Sequence, residues 1–154
     1  MRRVWYVARW PLLGLLIAFL AIQLVPYGWH HDNPPVIQNA TWPNAQSERI
    51  ARVSCYSCHS NKTDWPLYSY IAPMSWFVRR DVERGRHKLN FSNWANDQGE
   101  ADDAIETIQK GTMPPRRYTL LHRDARLSHD DATRLIDALA AMGGREGNDH
   151  RGGR

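Results

Sequence analysis

The chain has 154 residues, enough for one domain with an appendage, and its 42% apolar content excludes a disordered chain. Two cysteines are too few for a disulfide-stapled scaffold. The formal charge is +4, but Arg2, Arg3 and Arg9 supply three of the 20 basic residues. From residue 31 on, 17 basic residues stand against 16 acidic ones without a clustered basic face, which argues against a nucleic-acid partner.

The first predicted element is a membrane anchor. Residues 10–29 form a continuous apolar run whose only strongly polar side chain is Gln23. As a helix this run would span about 30 Å, the thickness of the hydrocarbon core of a bilayer. Trp10 and Trp29 stand at its ends as interfacial aromatics, and the preceding arginines hold that end in the cytoplasm. The pattern predicts a cytoplasmic stub and transmembrane helix over 1–29, with the rest of the chain exported.

A signal peptide and a buried core helix are the two other interpretations of this segment. A cleaved signal peptide also has a charged start and an apolar middle, but no A-x-A-like cleavage site follows at residues 22–26. A buried core helix is disfavoured by the arginine flank and by the length. The sequence therefore favours an uncleaved anchor over cleavage.

Three further segments follow the anchor. Residues 30–44 hold three prolines and several asparagines, which predicts a linker or an irregular wrap. Residues 143–154 contain no apolar residue and are predicted to be a disordered tail. The folded domain is then 45–142.

Hydrophobic periodicity predicts an all-α domain of about four short helices, since no segment alternates as a strand does. Ser47 is expected to cap the first helix and Gly111 to stop the third. Ser128 and Asp131 form a candidate capping box for the last. The helices are expected over 47–58, from Pro73 on, over about 100–110, and from Ser128 on.

Two long segments, 60–72 and 111–127, show no regular pattern. Loops of this length in a compact domain are usually functional. The apolar faces of the predicted helices are also narrow, so they supply little core. An additional apolar group is therefore expected to fill the middle of the domain.

The chemistry-bearing motif is Cys55-Tyr56-Ser57-Cys58-His59, or C-x-x-C-H, the attachment signature for c-type haem. Thiols three residues apart lie on the same side of a helical turn, so both can add to the two vinyl groups on one edge of a porphyrin. The adjacent imidazole then faces the iron as the proximal ligand. The motif predicts one covalently attached haem c that uses both cysteines of the chain.

Two other readings of the motif were considered. A thioredoxin-like redox pair also uses C-x-x-C, but in a βαβ setting that this sequence lacks. A structural zinc site needs four ligands, and His59 directly follows Cys58, an awkward spacing for one tetrahedral ion. A thiol redox protein or a zinc module thus ranks behind haem attachment.

Met113 is the first candidate for the distal iron ligand. It lies in Gly-Thr-Met-Pro-Pro (111–115), a proline-stiffened loop that could hold a weak thioether ligand in place. Packing in the core is the alternative for Met113, and is expected for Met74, which shares a stripe with Phe77. His122 is the second choice. The remaining histidine candidates are His30, His31, His87, His129 and His150.

Large aromatic side chains are expected to contact the flat porphyrin, although each one alone could equally be core. The candidates are Trp65, Tyr68, Trp76 and Tyr118, followed by Tyr70, Phe91 and Trp94. Arginines that could pair with haem propionates are Arg79, Arg80, Arg86, Arg116 and Arg117.

Three stretches of the chain resemble the bacterial haem-binding domain family of small c-type cytochrome-like proteins. They are CYSCHSNKTDWPLYSYIAPMSW (55–76), DVERGRHKLNFSNW (81–94) and GTMPPRRYTLLHRDARLS (111–128). The resemblance runs from about residue 33 to 140 and implies a cytochrome c-like domain with covalent haem at Cys55 and Cys58 and with His59 as axial ligand. The Met-Pro loop is similar to the distal-ligand loop of mono-haem cytochromes c.

The function expected from these features is electron transfer, not enzymatic catalysis. A His/Met-ligated haem has no open site for a substrate. The anchor and the resemblance together imply a single-pass protein of the bacterial inner membrane, with its haem domain on the periplasmic or extracellular side. Its partners would be redox proteins, such as a membrane respiratory complex. The alternative is a haem-based gas or redox sensor, or a small peroxidase-like enzyme, with a displaceable distal ligand.

Overall fold

A computed structural model describes residues 2–97 and 100–143, with side chains for 9–95 and 100–143. The predicted all-α class is confirmed, since the described part contains helices and no strand. An isolated parallel bridge joins Gln38 and Asn93. Apart from residue 143, the predicted tail lies outside the described residues.

The described α-helices range from four residues to the 21 residues of the first, with two of 15 residues. Eight α-helices are described, and two 3₁₀ helices, Leu67–Tyr70 and Arg123–Ala125, lie in the connections. The α-helices are α1 Arg2–Ile22, α2 Ala45–Ser54, α3 Tyr56–His59, α4 Met74–Lys88, α5 Trp94–Asp97, α6 Ala101–Gln109, α7 Arg116–Leu121 and α8 His129–Gly143.

The first predicted helix, 47–58, is interrupted in the structure. Helix α2 ends at Ser54, and Cys55, at φ −124° and ψ −39°, separates it from α3. The predicted cap is also wrong. Ser47 is buried in the first turn, where its backbone N–H donates to the Asn44 side-chain oxygen at 2.8 Å. Asn44 caps the helix because it has the extended backbone that an N-cap needs, at φ −154° and ψ 157°.

The ends of the later helices follow the sequence signals. Gly111 takes φ 63° just after α6, a conformation that glycine adopts without strain. Ser128 Oγ accepts the Asp131 backbone N–H at 3.1 Å and donates to the Asp131 carboxylate at 2.7 Å, so α8 starts as predicted. Helix α7 was not predicted, because six residues are too few to show a helical period.

The chain divides into two compact units. The first combines residues 1–32 with 65–81, and the second combines 33–64 with 82–154. In the first unit, the Gln23 side chain accepts from the Ala72 N–H at 2.9 Å and donates to the Ala72 carbonyl at 3.1 Å. This pair of bonds fixes the end of α1 to the loop before α4.

Helix α1 differs from the predicted anchor in its bounds. It ends at Ile22, so residues 10–22, thirteen of the apolar run, are helical, equivalent to about 20 Å of rise. Most of its large apolar side chains from Trp10 to Leu20 are exposed. Within the described residues, no helix combines the length and hydropathy needed to cross a bilayer. The predicted transmembrane span is therefore not confirmed.

The second unit has its core where α8 packs against α2 and α6. Leu135 and Leu139 of α8 are almost fully buried there. Phe91 stacks between two aromatic rings, with ring centroids 5.2 Å from Tyr56 and 5.7 Å from Trp94. This core forms one wall of the candidate site.

Candidate haem-binding site

A cavity of about 370 Å³ lies within the second unit, in the size range of small-molecule and cofactor sites. It brings together Cys55, His59 and Met113, the first two from the C-x-x-C-H motif and the third from the loop after α6. The rest of its lining is mainly apolar and comes from α6, α8 and the segment after α4. These apolar residues are Leu89, Phe91, Ala104, Ile108, Leu135 and Leu139.

The C-x-x-C-H segment forms one tight helical turn. The backbone N–H groups of Cys58 and His59 both donate to the Cys55 carbonyl, at 3.1 and 2.9 Å. Both cysteines are free thiols. The turn places Cys55 and His59 at the cavity, whereas Cys58 is not among the residues that line it.

The His59 ring is oriented by a backbone carbonyl. Its Nδ1 lies 3.0 Å from the Leu89 oxygen, and because a carbonyl can only accept, Nδ1 carries the proton and donates. This leaves the Nε2 lone pair available for a metal. The His59 carbonyl in turn accepts the Phe91 N–H at 2.8 Å. The segment after α4 therefore fixes both the ring and the backbone of the candidate proximal ligand.

Burial shifts the pKa of both His59 and Cys55 toward the neutral form of each side chain. Desolvation lowers the pKa of His59, against smaller opposing effects of hydrogen bonds to the Leu89 and Gly85 backbone. Burial, with a smaller contribution from Cys58, raises the pKa of Cys55 to about 12. Neutral imidazole is the form that binds iron. A thiol that stays protonated is the opposite of the activated thiolate of a thiol redox protein.

Gly85 lets α4 approach the motif at backbone distance. A Cβ at this position would overlap the Cys58 carbonyl oxygen and would lie 2.9 Å from the Cys58 carbonyl carbon, so the backbone would have to shift. An isolated glycine inside a helix costs about 1 kcal/mol relative to alanine, and the close approach to Cys58 accounts for it here. Nothing in the sequence pattern assigns Gly85 to the site.

Buried amides hold the segment that carries Leu89 and Phe91. Asn90 donates to the Asn61 side-chain oxygen at 2.8 Å, and the Ser92 N–H donates to the Asn90 side-chain oxygen at 2.9 Å. The Asn61 N–H donates to Ser92 Oγ at 3.0 Å. This ring of bonds ties the residues after the motif to those that orient His59.

The loop after α6 delivers Met113 to the cavity. The N–H groups of Thr112 and Met113 both donate to the Thr107 carbonyl, at 3.0 and 3.3 Å, which folds the loop back on α6. The Met113 side chain remains 39% exposed. His122, the second choice for the distal ligand, lies instead at the end of α7, stacked on Tyr118 with ring centroids 4.4 Å apart.

Other candidate side chains take different positions. Tyr118 donates from its hydroxyl to Ser57 Oγ at 3.0 Å, beside the motif. Arg86 donates to the Ser60 carbonyl and to Thr63 Oγ1, both at 2.9 Å, and so braces the segment after the motif. Among the aromatic candidates, Phe91 lines the cavity. Four others belong to the first unit and are not among the lining residues, namely Trp65, Tyr68, Tyr70 and Trp76.

Several lining residues could not be singled out from the sequence. Ile108, Leu135 and Leu139 belong to helix stripes that predict core equally well. The Leu89 contact is made by a backbone carbonyl, which every residue has, so the sequence could not indicate it.

A C-x-x-C-H motif beside a largely apolar cavity is the arrangement expected of a haem-binding protein. The model of the haem-binding domain family matches residues 17–141, and the chain belongs to this family. The protein called cytochrome c peroxidase Ccp, from Escherichia coli (strain K12), is 25% identical over 143 residues. The match covers 84% of this chain but 30% of that protein, so the chain spans less than a third of the relative's length. No solved structure matches.

Proposed function

We propose that this protein is a mono-haem c-type cytochrome that transfers electrons at the exported face of the bacterial inner membrane. Cys55 and Cys58 would hold the haem covalently, with His59 as proximal and Met113 as distal ligand. One observation carries the proposal, which is that Cys55, His59 and Met113 line the same cavity.

The residues present fit such a haem. Each thiol would add its S–H across a vinyl group, forming a C–S and a C–H bond with no net oxidation. The apolar walls suit the porphyrin face, and Nε2 of His59 is the nitrogen left for iron. When bound, the haem would supply one-electron chemistry between its ferrous and ferric states.

Whether Met113 binds the iron distinguishes an electron carrier from a catalyst. A thioether on the sixth position raises the reduction potential and closes the iron to substrate. The residues of this chain would then only hold and insulate the cofactor, and redox proteins would be its partners.

A peroxidase-like or sensor function is the second candidate, and two observations favour it. The chain is similar to a protein called a cytochrome c peroxidase, and Met113 is 39% exposed, so the fold does not enclose it. A distal ligand in such an exposed loop could be displaced by peroxide or a gas.

Absorption spectroscopy and intact mass test the proposal on the full chain from a host that attaches c-type haem. We expect the mass of one haem on the chain and a methionine–iron charge-transfer band in the oxidised protein. A preparation without covalent haem overturns the proposal. Prompt binding of CO to the reduced protein at neutral pH supports the second candidate instead.

Membrane attachment is a separate part of the proposal. The exposed apolar side chains of α1 and the arginines that precede them support it. Fusing alkaline phosphatase, which is active only after export, to the carboxyl end of the full chain tests it. We expect an active fusion that stays with membranes after carbonate extraction. An inactive or extractable fusion contradicts it.

A further inference from the structure

Helix α7 turns its apolar side chains the wrong way for a core helix. Leu120 and Leu121 are 70% and 59% exposed, whereas Thr119 is 7% exposed. At 100° per residue, Arg116 and Arg117 fall on the same side as the two leucines, because each lies four positions before one of them. These four residues form one outward face, called the α7 face below.

The α7 face lies in a strongly basic stretch. Residues 116–126 contain four arginines, Arg116, Arg117, Arg123 and Arg126, all exposed, against the single acidic residue Asp124. Most of the chain beyond residue 31 is balanced, with 17 basic and 16 acidic residues in all. A local excess of this size steers acidic partners toward one surface.

The inward side of the same helix contacts the attachment motif. Tyr118 donates to Ser57 Oγ at 3.0 Å, and Ser57 stands between Cys55 and Cys58. The Tyr118 ring also stacks on His122. One side chain therefore connects the α7 face to the turn that would hold the haem. A partner on the α7 face would therefore be linked to the C-x-x-C-H turn through the Tyr118–Ser57 hydrogen bond.

We infer that the α7 face is the docking surface for a redox protein that presents carboxylates around an apolar centre. The inference rests on the proposed electron-transfer function and adds the place and chemistry of the partner. The charges of the arginines select carboxylates, and Leu120 and Leu121 supply the apolar contact that protein interfaces have at their centre. An anionic membrane is disfavoured as the occupant, because two leucines on a six-residue helix offer little area to insert.

Charge reversal tests the inference on the full haem-loaded chain in detergent. The variant Arg116→Glu/Arg117→Glu is compared with Arg49→Glu/Arg134→Glu, which makes the same change of net charge at exposed arginines of α2 and α8. The reduced protein gives one electron to ferricyanide, which becomes ferrocyanide, and no bond is made or broken. At low ionic strength we expect the α7 variant to react roughly tenfold more slowly, the control variant within about twofold of wild type, and the difference to shrink with salt.

A second readout needs no electron transfer. Hexacyanochromate(III) is an anionic paramagnetic probe that broadens the NMR signals of nearby amides. We expect broadening concentrated at residues 116–126 in the wild type and lost in the α7 charge variant.

The apolar contact is tested with an acidic blue-copper protein as one-electron acceptor. Leu120→Ser/Leu121→Ser is expected to slow this acceptor severalfold while ferricyanide oxidation is unchanged.

The possible failures are distinguishable. Absence of covalent haem is the failure of the proposed function. Covalent haem with equal slowing by the two charge variants, or broadening elsewhere, overturns the docking surface alone. Phosphatidylglycerol vesicles that bind wild type through the α7 arginines, together with no effect on the copper protein, would assign the face to a membrane instead.

Discussion

At the scale of single residues, the site depends on neighbours that carry no chemistry of their own. The Leu89 carbonyl selects the Nδ1–H form of His59, and burial keeps that ring neutral. Cys55, Cys58 and His59 could be proposed from the motif alone, because their spacing is set by the cofactor. Leu89 could not, since any residue has a carbonyl and only the fold decides which one meets the ring.

Met113→Ala is expected to abolish the methionine–iron charge-transfer band and to lower the reduction potential by on the order of 0.1 V or more, within the roughly 0.8 V that axial ligation spans. Absorption spectra and a redox titration measure both. Met74→Ala is the matched control, since both methionines are 39% exposed and Met74 lies in the first unit. An unchanged spectrum in Met113→Ala would remove this residue from the ligand role.

Asn90→Ala is expected to destabilise the protein by about 1–3 kcal/mol, because it leaves buried groups of Asn61 and Ser92 without their hydrogen-bond partner. Urea denaturation followed by circular dichroism measures this. Asn39→Ala removes the hydrogen bond from Lys62 to an exposed side chain and should cost under about 0.5 kcal/mol. Equal losses in the two variants would contradict a structural role for the buried ring of bonds.

At the scale of elements, the contact between α4 and the C-x-x-C-H turn positions the site. Helix α4 comes close enough for Gly85 to touch the Cys58 carbonyl, and the chain that leaves it supplies Leu89 and Phe91. A single helix thus shapes the motif from outside and orients its histidine.

Gly85→Ala tests that contact by the sign of its effect. Alanine normally stabilises a helix interior by about 1 kcal/mol relative to glycine. Here the added Cβ would force the backbones apart, so we expect a loss of about 1–3 kcal/mol and a lower yield of haem-loaded protein. Thermal unfolding and the haem-to-protein ratio measure the two effects. Gly14→Ala lies inside α1 with nothing within 4 Å of the added carbon, so it should keep or slightly raise thermal stability and leave the haem-to-protein ratio unchanged. A neutral Gly85→Ala would refute the close approach.

Elements were predictable where periodicity or capping was strong. Helices α4, α6 and α8 follow apolar stripes and end or begin at the expected residues. The break at Cys55 and the six-residue α7 were not predictable, because a one-residue kink and a single-turn helix are decided by tertiary contacts. In helix α7 the apolar Leu120 is exposed and the polar Thr119 is buried. A prediction that apolar residues face the core therefore gives the wrong orientation for this helix.

At the scale of the whole molecule, a cavity replaces part of the core of the second unit. The sequence indicated this through its narrow helix stripes and long connections, which require an apolar filling. In the structure, the cavity lies beside the C-x-x-C-H motif, between α6, α8 and the segment after α4. Without a bound group, the side chains of Phe91, Leu135 and Leu139 would lack packing partners on the side of this cavity.

Because domains are stable by only about 5–15 kcal/mol, the loss of these packing contacts should make the cooperative fold depend on the haem. We expect the same sequence, made in a host that cannot attach haem, to bind a hydrophobic dye and to unfold without a sharp transition. The haem-loaded protein should unfold cooperatively. Thermal unfolding by near-ultraviolet circular dichroism compares the two, and the identical sequence makes the comparison a matched control. A haem-free protein that melts cooperatively within a few degrees of the loaded one would show that α2, α6 and α8 close the core unaided.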